Sequence, residues 1–263
     1  MDRHPRAERG PYQGVTQIVR FNWPFYAIAA GSLAVASYVA RRRETPAFLK
    51  FASLAANGVA AYFSLASLVV SWWVYDHSSL YNFEWVNELL PAPPSEWANL
   101  HCGLDESSPA LMELFPNSHG QFWDFYDAGT MTEPSIRSAR QLQPPPVAPQ
   151  SVDYRQLPAE ANALDAIFLF FAAHEIRGGA QREAFFRELG RILRPGGRIL
   201  MLEHARDGAN FLAFGPGILH FFPEPEWRRL AEHSGLQVAQ SGCFTPFVRL
   251  IVLTKPGAVP HDS

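Results

Sequence analysis

Cysteine is scarce: the chain's 263 residues hold only Cys102 and Cys243. Two thiols so far apart build neither a disulfide framework nor a cysteine metal cluster, and they read as reduced thiols in a cytoplasmic setting. Charge is scarce as well. Asp, Glu, Lys and Arg make up 18% of residues and the net charge is −3, which gives no reason to expect nucleic acid as a partner. No internal repeat is present. Also missing is a run of glycines after the first predicted strand, residues 97–102. The chain there reads Gly103-Leu104-Asp105-Glu106-Ser107-Ser108, one glycine and two acids. Apolar residues are plentiful, at 48% hydrophobic and 13% aromatic. The length suits one catalytic domain with an appendage.

The appendage is N-terminal. Residues 21–40 and 51–75 carry no charge, and each run is long enough to cross a bilayer as a helix. Between them Arg41-Arg42-Arg43-Glu44-Thr45-Pro46 makes a break. Trp23, Tyr26, Trp72, Trp73 and Tyr75 sit near the run ends, as interfacial aromatics do. Small residues at four-residue spacing (Ala27 and Gly31, Ala30 and Ala34, Ala56 and Ala60) let two helices pack closely in lipid. The reading is a two-helix membrane hairpin over 21–75 behind a tail, 1–20. Two helices of a soluble bundle are the alternative; a signal peptide is disfavoured by the second run. Arg41 to Arg43 with Lys50 draw the turn toward the cytoplasm, while Arg3, Arg6, Arg9 and Arg20 draw the N-terminus the same way. The direction of insertion therefore stays open.

Residues 76–94 read as a short amphipathic helix, 80–90, and a linker closed by Pro91, Pro93 and Pro94. That helix would close the active site or lie on lipid. The main domain then spans 95–255, with a tail at 256–263. Its most informative stretch is 164–207. An apolar run at 166–173 has the length of a strand buried on both faces. Phe185, Phe186, Leu189, Ile192 and Leu193 follow at helical spacing. Pro195-Gly196-Gly197 is expected to end that helix. Residues 198–202 are a second buried strand. Strand, helix and strand form a right-handed parallel crossover, and ligands bind beyond the strand C-termini. His174, Glu175, Glu203 and His204 are thereby brought to one edge.

This stretch resembles the second half of class I S-adenosylmethionine-dependent methyltransferases, in particular the methyltransferase type 11 group that includes ubiquinone and menaquinone methyltransferases. Asp165 matches the acid that begins the family's fourth strand, and Arg191 to Gly197 match its R-x-L-x-P-G-G turn. The resemblance covers residues 97–255, most closely 153–202. It implies an α/β fold: a Rossmann-like, doubly wound, mostly parallel sheet, here preceded by the all-α two-helix transmembrane hairpin.

The resemblance also implies S-adenosyl-L-methionine as cofactor. On the family pattern, Gly103 and Asp105 lie in the first turn, and Asp124 or Asp127 ends the second strand and meets the ribose hydroxyls. Asp153 approaches the adenine amino group beside Tyr154, and Phe171 completes the cofactor-binding set. An oxygen acceptor needs a base near neutral pH. His174 is the first candidate, then His204 and His220, with Glu175 or Glu203 orienting a ring. No metal is expected, because the His and Glu residues show no helical ligand spacing.

Phe211, Phe214, Leu219, Phe221 and Phe222 would wall the acceptor pocket around a turn at Gly215-Pro216-Gly217, or else pack in the core. The expected partners are a small lipophilic acceptor such as a phenol or quinone, and membrane lipid; a homodimer stays open. The expected location is the cytoplasmic (inner) membrane, with the catalytic domain facing the cytoplasm. The degenerate glycine turn keeps two alternatives alive: a non-catalytic binding or scaffold protein of this fold, and a divergent transferase using the same cofactor.

Overall fold

The computed structural model describes residues 10–257; Arg3, Arg6 and Arg9 and most of the expected C-terminal tail lie outside them. Seven strands form one sheet: β1 Glu96–His101, β2 His119–Asp124, β3 Gln150–Ser151, β4 Leu164–Phe170, β5 Leu193–Glu203, β6 Gln237–Thr245 and β7 Val248–Thr254. Their order is β3-β2-β1-β4-β5-β7-β6. β3, β2, β1, β4 and β5 are mutually parallel, and β7 runs antiparallel to β5 and β6. The chain reverses order beside β1, so the C-terminal ends of β1 and β4 flank the crevice where ligands of such sheets bind.

Alternation along the central strands separates two cores. Leu100, Ile167, Leu169, Ile199, Met201 and Ile251 face one side of the sheet, where Phe185, Phe186 and Leu189 of α7 (Gly179–Ile192) and Trp227 and Leu230 of α9 (Glu224–His233) cover them. Trp97, Ala166, Phe168, Leu200, Leu202 and Val252 face the other side. That second face is covered chiefly by residues from upstream of the sheet: Val74, Leu80, Phe83, Val86 and Leu89, joined by Leu111 and Phe115. The stretch read as one helix over 80–90 is instead a 3-10 turn, Ser79–Asn82, and a short α4, Trp85–Leu89. Phe83 separates them with φ of 53°. Leu80, Phe83, Val86 and Leu89 pack on the sheet, and Leu80, Tyr81 and Phe83 also line the cavity at the C-terminal strand ends.

The crossover also differs in detail from the expectation. α7 ends at Ile192, where Leu193 turns extended, so Pro195-Gly196-Gly197 lies within the β5 stretch and not at the helix end. The irregularity there is a register shift against β4 between Leu164 and Ala166. Asp165 accepts from the backbone N–H of Ser95 and Glu96 and pairs with Arg194 at 2.6 Å. The acid that starts β4 thus pins the start of β1 beside it.

Upstream, α1 (Gln13–Phe21) occupies much of what read as a tail. Asp76, 62 residues away, supplies its cap: the carboxylate accepts from the N–H of Gly14 at 2.5 Å and of Val15 at 2.9 Å, satisfying two of the orphan donors of a helix start. α2 (Trp23–Arg41) and α3 (Ala47–Trp72) pack as a hairpin, and both are long and apolar enough to cross a membrane. Asn57 donates to Ser37 Oγ at 3.1 Å between them, and Tyr26 Oη and Ser67 Oγ share a hydrogen bond of 3.3 Å. No residue of α2 is buried, and Phe25, Ile28, Val35, Phe48, Phe51 and Leu65 are exposed. α3 runs through a π-turn, Trp73–His77, straight into the second core, which ties the hairpin to the sheet.

Candidate active site

A cavity of about 870 Å³ opens over the C-terminal ends of β1 and β4. Its floor is His101, Cys102, Leu104, Phe170 and Phe171. His174, Glu175, His204 and His220 also line it, and so does the hairpin, through Phe25, Tyr26, Phe63, Ser64 and Ser67. The β-ends place the polar groups; the helices supply an apolar approach.

β4 ends at Phe170. Phe171 follows with φ of 52°, a left-handed conformation costly for an aromatic residue, and the 3-10 turn Ala173–Glu175 then brings His174 and Glu175 into the cavity. At the end of β5, Glu203 is fully buried. Its Oε1 accepts from the Ala173 N–H at 2.9 Å and its Oε2 meets His174 Nδ1 at 2.6 Å. His174 Nε2 lies 3.5 Å from Glu175 Oε1, and His220 Nε2 lies 3.7 Å from the same oxygen. The other nitrogen of His220 is 3.7 Å from Glu133. Arg177 bridges the backbone of both histidines, donating to the carbonyls of His174 at 3.2 Å and His220 at 2.5 Å.

Burial alone would pull the His174 pKa down, but the Glu203 charge and hydrogen bonds to Glu175 and Glu203 outweigh it and lift it to about 10. Burial pushes Glu175 up, and hydrogen bonds from His174 and His220 pull it well below the usual carboxylate range. His174 is thus an imidazolium held between two carboxylates. His204 is its opposite: burial lowers it to about 4. Its Nδ1 donates to the Phe247 carbonyl at 2.8 Å, leaving Nε2 to accept from the Tyr75 hydroxyl at 2.6 Å. The ring lies between Phe171 and Phe221, at 5.2 and 4.9 Å.

The residues expected around the cofactor are dispersed. Phe171 lines the cavity; Gly103, Asp105, Asp124, Asp127, Asp153 and Tyr154 do not. Asp105 turns inward, accepting from the N–H of Ser107 and Ser108 and from Asn99 Nδ2, so it caps the start of α5 (Ser108–Leu114). Asp124 is held by Arg140 of α6 (Pro134–Leu142) at 2.6 Å. The same guanidinium donates to the Cys102 carbonyl at 2.9 Å, stacks on Tyr126 and fills the space a side chain at Gly103 would take. Gly103, with φ of 102°, therefore makes room for Arg140. Asp127 accepts from the Gly129 N–H in a tight turn. Asp153 is half-exposed beside Arg155, whose hydrogen bond lowers its pKa. Tyr154 is buried against Phe125 and Phe185 in the first core.

The groups fit S-adenosyl-L-methionine at the β1 and β4 ends. There His101 presents a buried Nε2 with no hydrogen-bond partner, and Leu104, Glu106 and Ser135 complete the rim. Asp124, expected at a ribose, is instead engaged by Arg140 and stands outside the cavity lining.

Tyr75, Arg140, Arg177 and His101 are the site residues that sequence reasoning missed. Tyr75 carried the signal of an interfacial aromatic, and Arg140 that of an ordinary helix residue. Contacts across 16 to 129 positions reveal Tyr75, Arg140 and Arg177, and a buried, unpartnered Nε2 reveals His101.

Residues 126–201 match a family described as a methyltransferase domain. No curated protein matches by sequence. Among solved structures, the chain is similar to a mitomycin 7-O-methyltransferase, with 16% identity, coverage of 95% of this chain and 74% of that one, and a TM-score of 0.53. It is also similar to a SAM-dependent methyltransferase from Aquifex aeolicus (17% identity, 69% and 95% coverage, TM-score 0.50). A third is geranyl diphosphate C-methyltransferase from Streptomyces coelicolor A3(2), solved with Mg2+, geranyl diphosphate and S-adenosyl-L-homocysteine (14% identity, 72% and 82% coverage, TM-score 0.50). At these identities the likeness is one of fold.

Proposed function

We propose, for a methyltransferase whose methyl donor is S-adenosyl-L-methionine, that the chain is anchored in a membrane by α2 and α3 and methylates a small lipophilic acceptor such as a phenol or quinone. One observation carries this reading: a single cavity joins the strand ends, where the donor fits, to the apolar hairpin. A flat or tailed apolar molecule leaving lipid would pass Phe25, Tyr26 and Phe63 and meet the donor near Phe171. Methyl transfer is an in-line displacement that needs alignment and a dry site more than covalent help. His101, Leu104 and Glu106 would hold the donor, which supplies an electrophilic methyl group when bound.

On this reading the acceptor's nucleophile meets the cluster of His174, Glu175 and His220, which Glu203 and Arg177 hold in place. The neutral His204 with Tyr75 forms the aromatic side of the pocket. The exposed apolar surface of α2 and α3 continues onto Phe211 and Leu212 of α8 (Gly208–Phe214). Phe63 packs on Phe211, and Gly215 leaves room for Phe63, so the pocket rim and the hairpin form one apolar flank. We place the domain on the cytoplasmic side of the inner membrane, where the donor is made.

Alkaline carbonate extraction of membranes tests the anchor. The account expects the protein to stay in the pellet; release into the supernatant contradicts a spanning hairpin.

A further inference from the structure

We propose that His174, Glu175 and His220 bind a divalent transition-metal ion of the zinc class at the acceptor end of the cavity. The donor atoms of the three side chains lie within 4.8 Å of one another. The separations of the two histidine Nε2 atoms from Glu175 Oε1 are 3.5 and 3.7 Å. Metal–ligand bonds of about 2.0–2.2 Å in a tetrahedral site put donor atoms about 3.3–3.6 Å apart. Small side-chain rotations close that difference.

Three further features separate this cluster from a chance grouping. Each imidazole turns Nε2 toward Glu175 and has a carboxylate near Nδ1: Glu203 at 2.6 Å for His174 and Glu133 at 3.7 Å for His220. A carboxylate behind a histidine is the usual outer support of a metal ligand, because it fixes the ring and raises its basicity. Glu175 is 5% exposed, its Oε1 faces both imidazoles and its Oε2 is buried without a hydrogen-bond partner; in the metal-free chain the His174 proton balances this charge, and an entering ion takes that proton's place, releasing it to solvent. Arg177, through both histidine carbonyls, fixes the two loops that carry the ligands.

Two histidines and one carboxylate are a donor set for zinc, and for iron(II) in other geometries. Three protein ligands leave a coordination position facing the cavity. This inference rests on the reading of the cavity as the acceptor site, and gives that site the means to hold an acceptor oxygen by coordination. The helical spacing usual for such ligands is absent because they come from the β4 exit and from the 3-10 turn Gly215–His220.

The test uses the full chain in detergent, stripped with a chelator and titrated with Co2+ in the absence of donor and acceptor. The account expects one Co2+ per chain, with the visible absorption bands of a low-coordinate site, displaced by Zn2+. Glu175→Gln and His220→Ala should each weaken binding by more than about a hundredfold, and Glu203→Gln by about tenfold, with circular dichroism confirming the fold of each. No stoichiometric Co2+ uptake by the unaltered protein, or uptake unchanged in Glu175→Gln and His220→Ala, overturns the inference. Calorimetry with S-adenosyl-L-methionine on the same sample separates the two readings. Donor binding without metal uptake removes the metal site alone, and metal uptake without donor binding removes the methyltransferase site alone.

Discussion

Arg140 Nη1 sits 2.6 Å from Asp124 Oδ2, across the mouth of the turn that follows β1. The acid at the end of β2 is therefore engaged from within the chain, by a side chain that also fills the hollow over Gly103. A ribose competing for Asp124 must displace a short, mostly buried ion pair. Removing the guanidinium should tighten donor binding: Arg140→Ala is expected to lower the Kd for S-adenosyl-L-methionine about 5-fold, equivalent to ~1 kcal/mol. Asp124→Asn should weaken it by about tenfold. Calorimetry on both variants checks this. Unchanged affinity in both would mean that the donor never reaches Asp124.

The segment between hairpin and sheet is part of the domain core. Leu80 is 1% exposed and packs in the cluster that contains Trp97 and Phe168. Leu80→Ala should cost 2–5 kcal/mol, the usual range for a buried leucine, read as a lowered midpoint of chemical unfolding monitored by tryptophan fluorescence. A loss under about 0.5 kcal/mol would show that the segment is a tether.

Stability should fall in mild acid. His204 titrates at about 4 in the folded chain against 6.5 when exposed, and burial lowers His101 as well. Between these values the unfolded chain binds more protons at His204, so the contribution of that residue is full above 6.5 and is lost as pH falls toward 4. The whole His204 contribution is of order 3 kcal/mol. His174, protonated in both states below about 6.5, adds nothing in that window. The unfolding free energy of His204→Gln should therefore vary less between about pH 7 and 5 than that of the unaltered chain, measured by urea titration; an equal slope would contradict the assignment.

Much of the fold was legible because it rests on local chemistry. The apolar run of β4, the helical spacing of Phe185, Phe186 and Leu189, and the buried strand at 198–202 each follow from which side chains must leave water. So did the juxtaposition of His174 with Glu203, since both stand at the C-terminal ends of adjacent parallel strands. What stayed hidden depends on contacts without local signature. Asp105 looks like a cofactor acid in sequence, yet the α5 N–H groups two and three residues on claim it. Tyr154 reads as a ring beside adenine, yet Phe125 and Phe185 enclose it. Asp76 as a cap for α1, and Arg140 as the partner of Asp124, required the chain to have folded first.

The hairpin wall offers a separate handle on the acceptor. Ser64 is a small residue lining the cavity from α3. Ser64→Leu should raise the acceptor KM by about tenfold while leaving the donor Kd within about twofold. A variant that weakens donor binding instead would place the donor, and not the acceptor, against the hairpin.

The most direct measurement incubates the membrane-reconstituted protein with methyl-labelled S-adenosyl-L-methionine and the organic-soluble extract of its host membranes. The account predicts label in an organic-soluble product, reduced by at least about a hundredfold in Glu175→Gln. Label recovered only in water-soluble products, or in none while the donor binds, would contradict a lipophilic acceptor entering through the hairpin.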